Sequence, residues 1–99
     1  MLPTDNKYGG WAASGEIDIM EYRGQNPKEV LGTLHYGGGW PKNTHTGATF
    51  ILPSSTFADD FHTFAIDWEE GKIVWSVDDL SSNVPDRLRT RLSVIITRI

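Results

Sequence analysis

The sequence predicts an all-β protein, a sandwich of short antiparallel strands. Three observations carry that reading. Polar and apolar residues alternate through EIDIMEYRG (16–24) and VLGTLHYG (30–37), the period of a strand. FHTFAIDW (61–68) and KIVWSVD (72–78) flank the short turn EEG, as the arms of a β-hairpin do. Ten glycines and five prolines suit many strands joined by turns.

Taken in order, TDNKYGG (4–10) has loop chemistry, and the strand EIDIMEYRG follows. After VLGTLHYG, the stretch YGGGWPKNTHTG (36–47) is predicted as loop. ATFILP (48–53) is a further strand, ended by Pro53. The hairpin comes next, and Trp68 and Trp75, at alternating positions around its turn, are expected in core or cross-strand packing. The final segment, 79–99, leaves two readings open. LSVIITRI fits a strand, and DRLRTRL fits a short helix with Leu88 and Leu92 four apart.

Composition narrows the function. With 38 % hydrophobic residues, among them four Trp, four Phe and three Tyr, the chain can form a core. A net charge of −4 argues against a nucleic-acid partner. There is no cysteine, hence no disulfide and no thiolate metal site. No apolar run is long enough to cross a membrane, and MLPTDNKYGG shows no signal-peptide pattern. The charge is unevenly placed. Residues 1–86 hold all 13 acids and five of the nine bases, whereas 87–99 hold the other four, Arg87, Arg89, Arg91 and Arg98.

The densest chemistry lies in SGEIDIMEY, residues 14–22. Side chains alternate faces along a strand, so Glu16 and Asp18 point one way and Ile17 and Ile19 the other. Strict alternation would send Glu21 into the apolar face, where an unpaired carboxylate is costly. A β-bulge near Ile19–Met20 removes the conflict and returns Glu21 to the face of Glu16 and Asp18. Two carboxyl groups flanking a sugar bond are the tool of glycoside hydrolysis, and a separation of ~5–5.5 Å gives retention. Asp18 between them can share a proton or hydrogen bond with one Glu. The plain alternative is a solvated acidic strand face, and spacing leaves both open.

WAASGEIDIMEY (11–22) resembles the catalytic segment of glycoside hydrolase family 16, in its bacterial laminarinase-like endo-1,3-β-glucanases. The flanks agree: MLP (1–3) before it, then GTLHYGG (32–38), WP (40–41) and the hairpin FHTFAIDWEEGKIVWSVD (61–78). The resemblance covers about residues 1–79. It implies a concanavalin-like β-jelly-roll sandwich with a sugar-binding cleft, of which this chain is a part. It implies Glu16 as nucleophile, Glu21 as general acid/base and Asp18 assisting between them. Trp11 would stack on a sugar ring, and His35 would hydrogen bond in the cleft. Trp40, in its glycine-rich loop, could border the cleft. Ala12 departs from the family's usual proline there, which predicts a less rigid setting for Trp11.

The resemblance implies a β-glucan polysaccharide as substrate, secretion, and no cofactor. The family often carries a structural calcium, whose ligands are not evident here. His45, His62 and Asp59–Asp60 match no metal-ligand spacing and read as exposed loop residues. A whole sandwich of this kind is nearer ~200–250 residues. The expectation is therefore a partial catalytic domain over 1–79 and a divergent tail over 80–99 left by truncation or a shifted reading frame. Two other readings follow, a non-catalytic carbohydrate-binding remnant and an inactive fragment.

Overall fold

The computed structural model describes residues 1–78 and 91–94, the latter by backbone only. A single 3₁₀ turn, Trp11–Ala13, precedes the strands β1 (Glu16–Tyr22), β2 (Glu29–Tyr36), β3 (Thr44–Ile51), β4 (Phe64–Glu69), β5 (Lys72–Val77) and β6 (Arg91–Val94). They form two antiparallel sheets, ordered β1-β2-β3 and β4-β5-β6. The all-β prediction therefore holds.

Three boundaries differ from those predicted. β3 starts at Thr44, inside the stretch read as loop. Thr44 and Thr46 pair with Tyr36 and Leu34, so β-branched residues extend the ladder through segment 44–47. The hairpin arm starts at Phe64, not Phe61, because His62 and Thr63 serve another purpose. His62 Nδ1 lies 2.7 Å from Asp78 Oδ2, and the Thr63 N–H donates to Asp78 Oδ1 at 2.9 Å. Asp78 returns its own N–H to the Thr63 carbonyl at 2.8 Å, closing the open end of the hairpin. At the other end, Glu69 pairs with Lys72, leaving Glu70-Gly71 as a two-residue turn with Gly71 at φ 74°. Third, of the two readings left open for the tail, the strand is found over Arg91–Val94, starting one residue before LSVIITRI. The remainder of the helix weighed over 86–92, and most of the tail, lie outside the described residues.

The core lies between the sheets. Ile17 and Leu34 from one sheet meet Ile73 and Trp75 from the other, with Tyr36 and Ile66 packed against them. Cross-strand pairing explains the grouping. Ile17 sits opposite Leu34, and Ile66 opposite Trp75, so each sheet presents one apolar face. Trp75 is buried as predicted, and Trp68 pairs across the hairpin with the buried Ile73, yet its own ring is 59 % exposed. Trp68 instead borders an apolar cavity of about 210 Å³ reaching Leu2, Ile17, Leu34 and Tyr36.

Ile73 has the largest side chain that is fully buried among the described residues. Ile73→Ala should lower the unfolding free energy by roughly 2–5 kcal/mol, measured by urea titration.

Candidate active site

The face of β1 turned away from the core carries the acids. Glu16 opposes His35, and Asp18 opposes Thr33. The next pair is Glu21 with Leu31, so two residues, Ile19 and Met20, oppose Gly32 alone. This is the bulge that the carboxylate spacing predicted, at the predicted step. It returns Glu21 to the face of Glu16 and Asp18. The Thr33 hydroxyl, on that face, donates to Glu21 Oε2 at 3.3 Å.

Asp18, between the two glutamates, is partly enclosed. Its Oδ2 lies 3.1 Å from His35 Nε2, and its side chain is only 17 % exposed. Its hydrogen-bond partner is thus a histidine, rather than one of the glutamates. Burial pushes the Asp18 carboxyl above the usual range, and the Glu16 and Glu21 charges push it further, while His35 opposes them. The carboxyl biased towards its protonated form is therefore the central one.

Trp11 stands at the Glu16 end of the row. Its indole N–H donates to Glu16 Oε2, and its ring is tilted against His35 at 5.4 Å between centroids. The loop that presents it is held by Ser14, whose hydroxyl donates to the Gly9 carbonyl at 2.6 Å and accepts from the Tyr8 N–H at 3.1 Å. The N–H groups of Ser14 and Gly15 both donate to the Trp11 carbonyl. Ala12 is buried beneath. These bonds anchor the loop that carries Trp11.

The structure thus gathers Glu16, Asp18, Glu21, Trp11 and His35. It leaves Trp40 outside their network: the ring is 81 % exposed in the β2–β3 loop. Two neighbours escaped the sequence reading. His45 pairs with His35 across β2 and β3, with ring centroids 5.7 Å apart. Recognising Thr44 as a strand residue would have found it. Gly47 faces Thr33, where any Cβ would come within 2.4 Å of the Gly32 carbonyl oxygen and 3.1 Å of Thr33 Oγ1. Its lack of a side chain keeps Thr33 free to reach Glu21. His62, read as an exposed loop residue, is instead largely enclosed by Phe57, Phe64 and Asp78. Among the described residues, no three His, Cys, Asp or Glu side chains gather as metal ligands.

An antiparallel sheet that holds two glutamates on one open face has the pair of carboxyl groups that glycoside hydrolysis uses. Comparison with known proteins specifies the class. The description "Glycosyl hydrolases family 16" matches residues 2–92, and the chain belongs to that family. The match runs past residue 79 into β6. The fold is accordingly that of the jelly-roll class. The chain is 53 % identical over 79 residues to a glucan endo-1,3-beta-glucosidase A1 of Niallia circulans, covering 79 % of this chain and 12 % of that protein. It is 46 % identical over 79 residues to a glucan endo-1,3-beta-glucosidase of Cryptopygus antarcticus, covering 80 % and 29 %. A beta-1,3-glucan-binding protein of Penaeus monodon is 43 % identical over 88 residues, covering 81 % and 24 %. The chain spans less than a third of the length of each of these relatives.

The raised Asp18 pKa has a consequence for stability. The folded chain binds this proton more tightly than the unfolded chain does, so ionised Asp18 weighs against folding. Stability should therefore fall as pH rises from the ordinary carboxylate range through the raised Asp18 pKa. Asp18→Asn keeps an acceptor for His35 and removes the charge. It should be more stable than the parent chain at pH 7, with the advantage shrinking towards pH 4, as read from urea midpoints at both pH values.

Proposed function

We propose that this chain carries the catalytic strand of a retaining, endo-acting β-glucan hydrolase that cleaves 1,3-β-linkages. The observation that supports this most directly is the bulge between Asp18 and Glu21, which places both glutamates on one sheet face. A solvated acidic strand has no need of that irregularity.

In this reading, the Glu16 carboxylate attacks the anomeric carbon and the glycosidic C–O bond breaks. Glu21 gives its proton to the departing oxygen. A glycosyl ester on Glu16 results. Glu21, now ionised, takes a proton from water, whose oxygen displaces Glu16 and restores both groups. The double displacement retains the β configuration. The Trp11 N–H on Glu16 orients the nucleophile, and the Thr33 hydroxyl orients Glu21. Asp18, tied to His35, lies between them as the site's proton-biased carboxyl. Trp11 also offers a ring face to a sugar, and the exposed ring of Trp40 offers a second. The substrate is a polymer, so the enzyme is placed outside the cell.

The names of the relatives favour this substrate, and one of them is a binding protein rather than a glucosidase. Laminarin binding and reducing-end release therefore need separate measurement. The parent chain should release reducing ends, with the β-anomer appearing first by proton NMR. Glu21→Gln should lower the rate by about 10²–10⁴-fold, the usual worth of a general acid. Glu16→Gln should abolish turnover while still binding laminarin. Binding by the parent chain without release would assign it a glycan-binding role, and initial release of the α-anomer would exclude the double displacement.

A further inference from the structure

The bulge is the feature on which the site turns, and it is contacted from behind. Ile17 N–H donates to the Met1 carbonyl at 2.9 Å, on the outer edge of β1. Backbone groups alternate sides along a strand, so those of Asp18 turn inward towards β2. That is the step where two residues oppose Gly32 and the regular ladder is interrupted. Trp75, from the second sheet, reaches this point. Its indole N–H donates to the Asp18 carbonyl at 2.9 Å, a contact between residues 57 apart in sequence. The ring lies where a side chain on residue 32 would be. A Cβ at Gly32 would fall 2.4 Å from Trp75 Cδ1 and 2.7 Å from Nε1. Trp75 is 3 % exposed, so its N–H has no recourse to water if this acceptor moves.

We propose that Trp75 is a positioning residue for the carboxylate row. Its N–H holds the Asp18 carbonyl at the bulge, and its ring occupies the gap that only glycine at 32 leaves. Sliding β1 by one residue to erase the bulge would carry the Asp18 carbonyl off this donor and bury a polar group unpaired. The second sheet thus selects the register that keeps Glu21 beside Glu16. Gly32 is the other half of the device, small because the indole needs its space. The effect on turnover rests on the hydrolase reading above; the effect on strand register does not.

The test uses the full chain and two variants that remove the donor. Trp75→Phe keeps an aromatic ring, and site-specific replacement of Trp75 by 3-benzothienylalanine keeps the shape of indole without its N–H. A residue serving only the core would lose stability in proportion to lost packing, leaving turnover per folded molecule unchanged. A positioning residue should lower kcat on laminarin by up to about 10²-fold with KM nearly constant, as misplacement of a reacting group does. The nuclear Overhauser contact between Thr33 and Glu21 should weaken in the same variants. Unchanged kcat and an unchanged Thr33–Glu21 contact in the benzothienyl variant would overturn the proposal. If the parent chain hydrolyses no glucan, the hydrolase reading fails and the Thr33–Glu21 contact decides the positioning role alone. If neither variant folds, the unsubstituted chain decides: the Trp75 indole N–H should exchange with solvent at least ~10-fold more slowly than that of Trp40, as a buried bonded group does. Equal exchange would sink the idea.

Discussion

Everything distinctive about this chain depends on one extra residue in β1. Without the bulge, alternation would set Glu21 against the apolar layer and separate it from Glu16. With it, Ile17 and Tyr22 stay on the core side while Glu16, Asp18 and Glu21 share the open face. The cost of burying an unpaired carboxylate is several kcal/mol or more, so the strand cannot trade one arrangement for the other cheaply. The interruption of the ladder is the smaller penalty, and the Trp75 N–H reduces it further.

The acids are organised by the strands beside them. Thr33 and His35, two apart on β2, each take one carboxylate: Glu21 and Asp18, respectively. Trp11, on the turn before β1, takes Glu16. Each carboxyl group therefore has its own hydrogen-bond partner, which fixes three acids in a short row. The environment differentiates them. Asp18 is enclosed and flanked by both glutamates, whereas Glu21 lies at the exposed end of the row. A row with one carboxyl held towards its neutral form limits the repulsion that three ionised groups would suffer.

Much of the fold was legible locally. Alternation located β1 and β2, and the turn residues located the β4–β5 hairpin. The start of β3 was not legible, because Thr44 to Gly47 follow a glycine-rich loop and carry little apolar signal. They are strand because Leu34 and Tyr36 offer them a ladder. His45 was missed for the same reason. His62 was misread because its partner, Asp78, lies 16 residues away. Trp68 and Trp75 look alike around the turn, yet one is exposed and the other buried, a difference set by packing between the sheets and not by local pattern.

By itself the sequence determined the alternation of β1 and β2, the need for a bulge between Asp18 and Glu21, and the residue types of the site. These are local facts, because a carboxylate out of phase with its strand demands a remedy wherever the strand is placed. Only the tertiary structure decided which partner each acid meets and what braces the bulge. Asp18 meets His35 through strand pairing, and its carbonyl meets Trp75 through the packing of two sheets. Such contacts join residues up to 57 positions apart, and no local period records them.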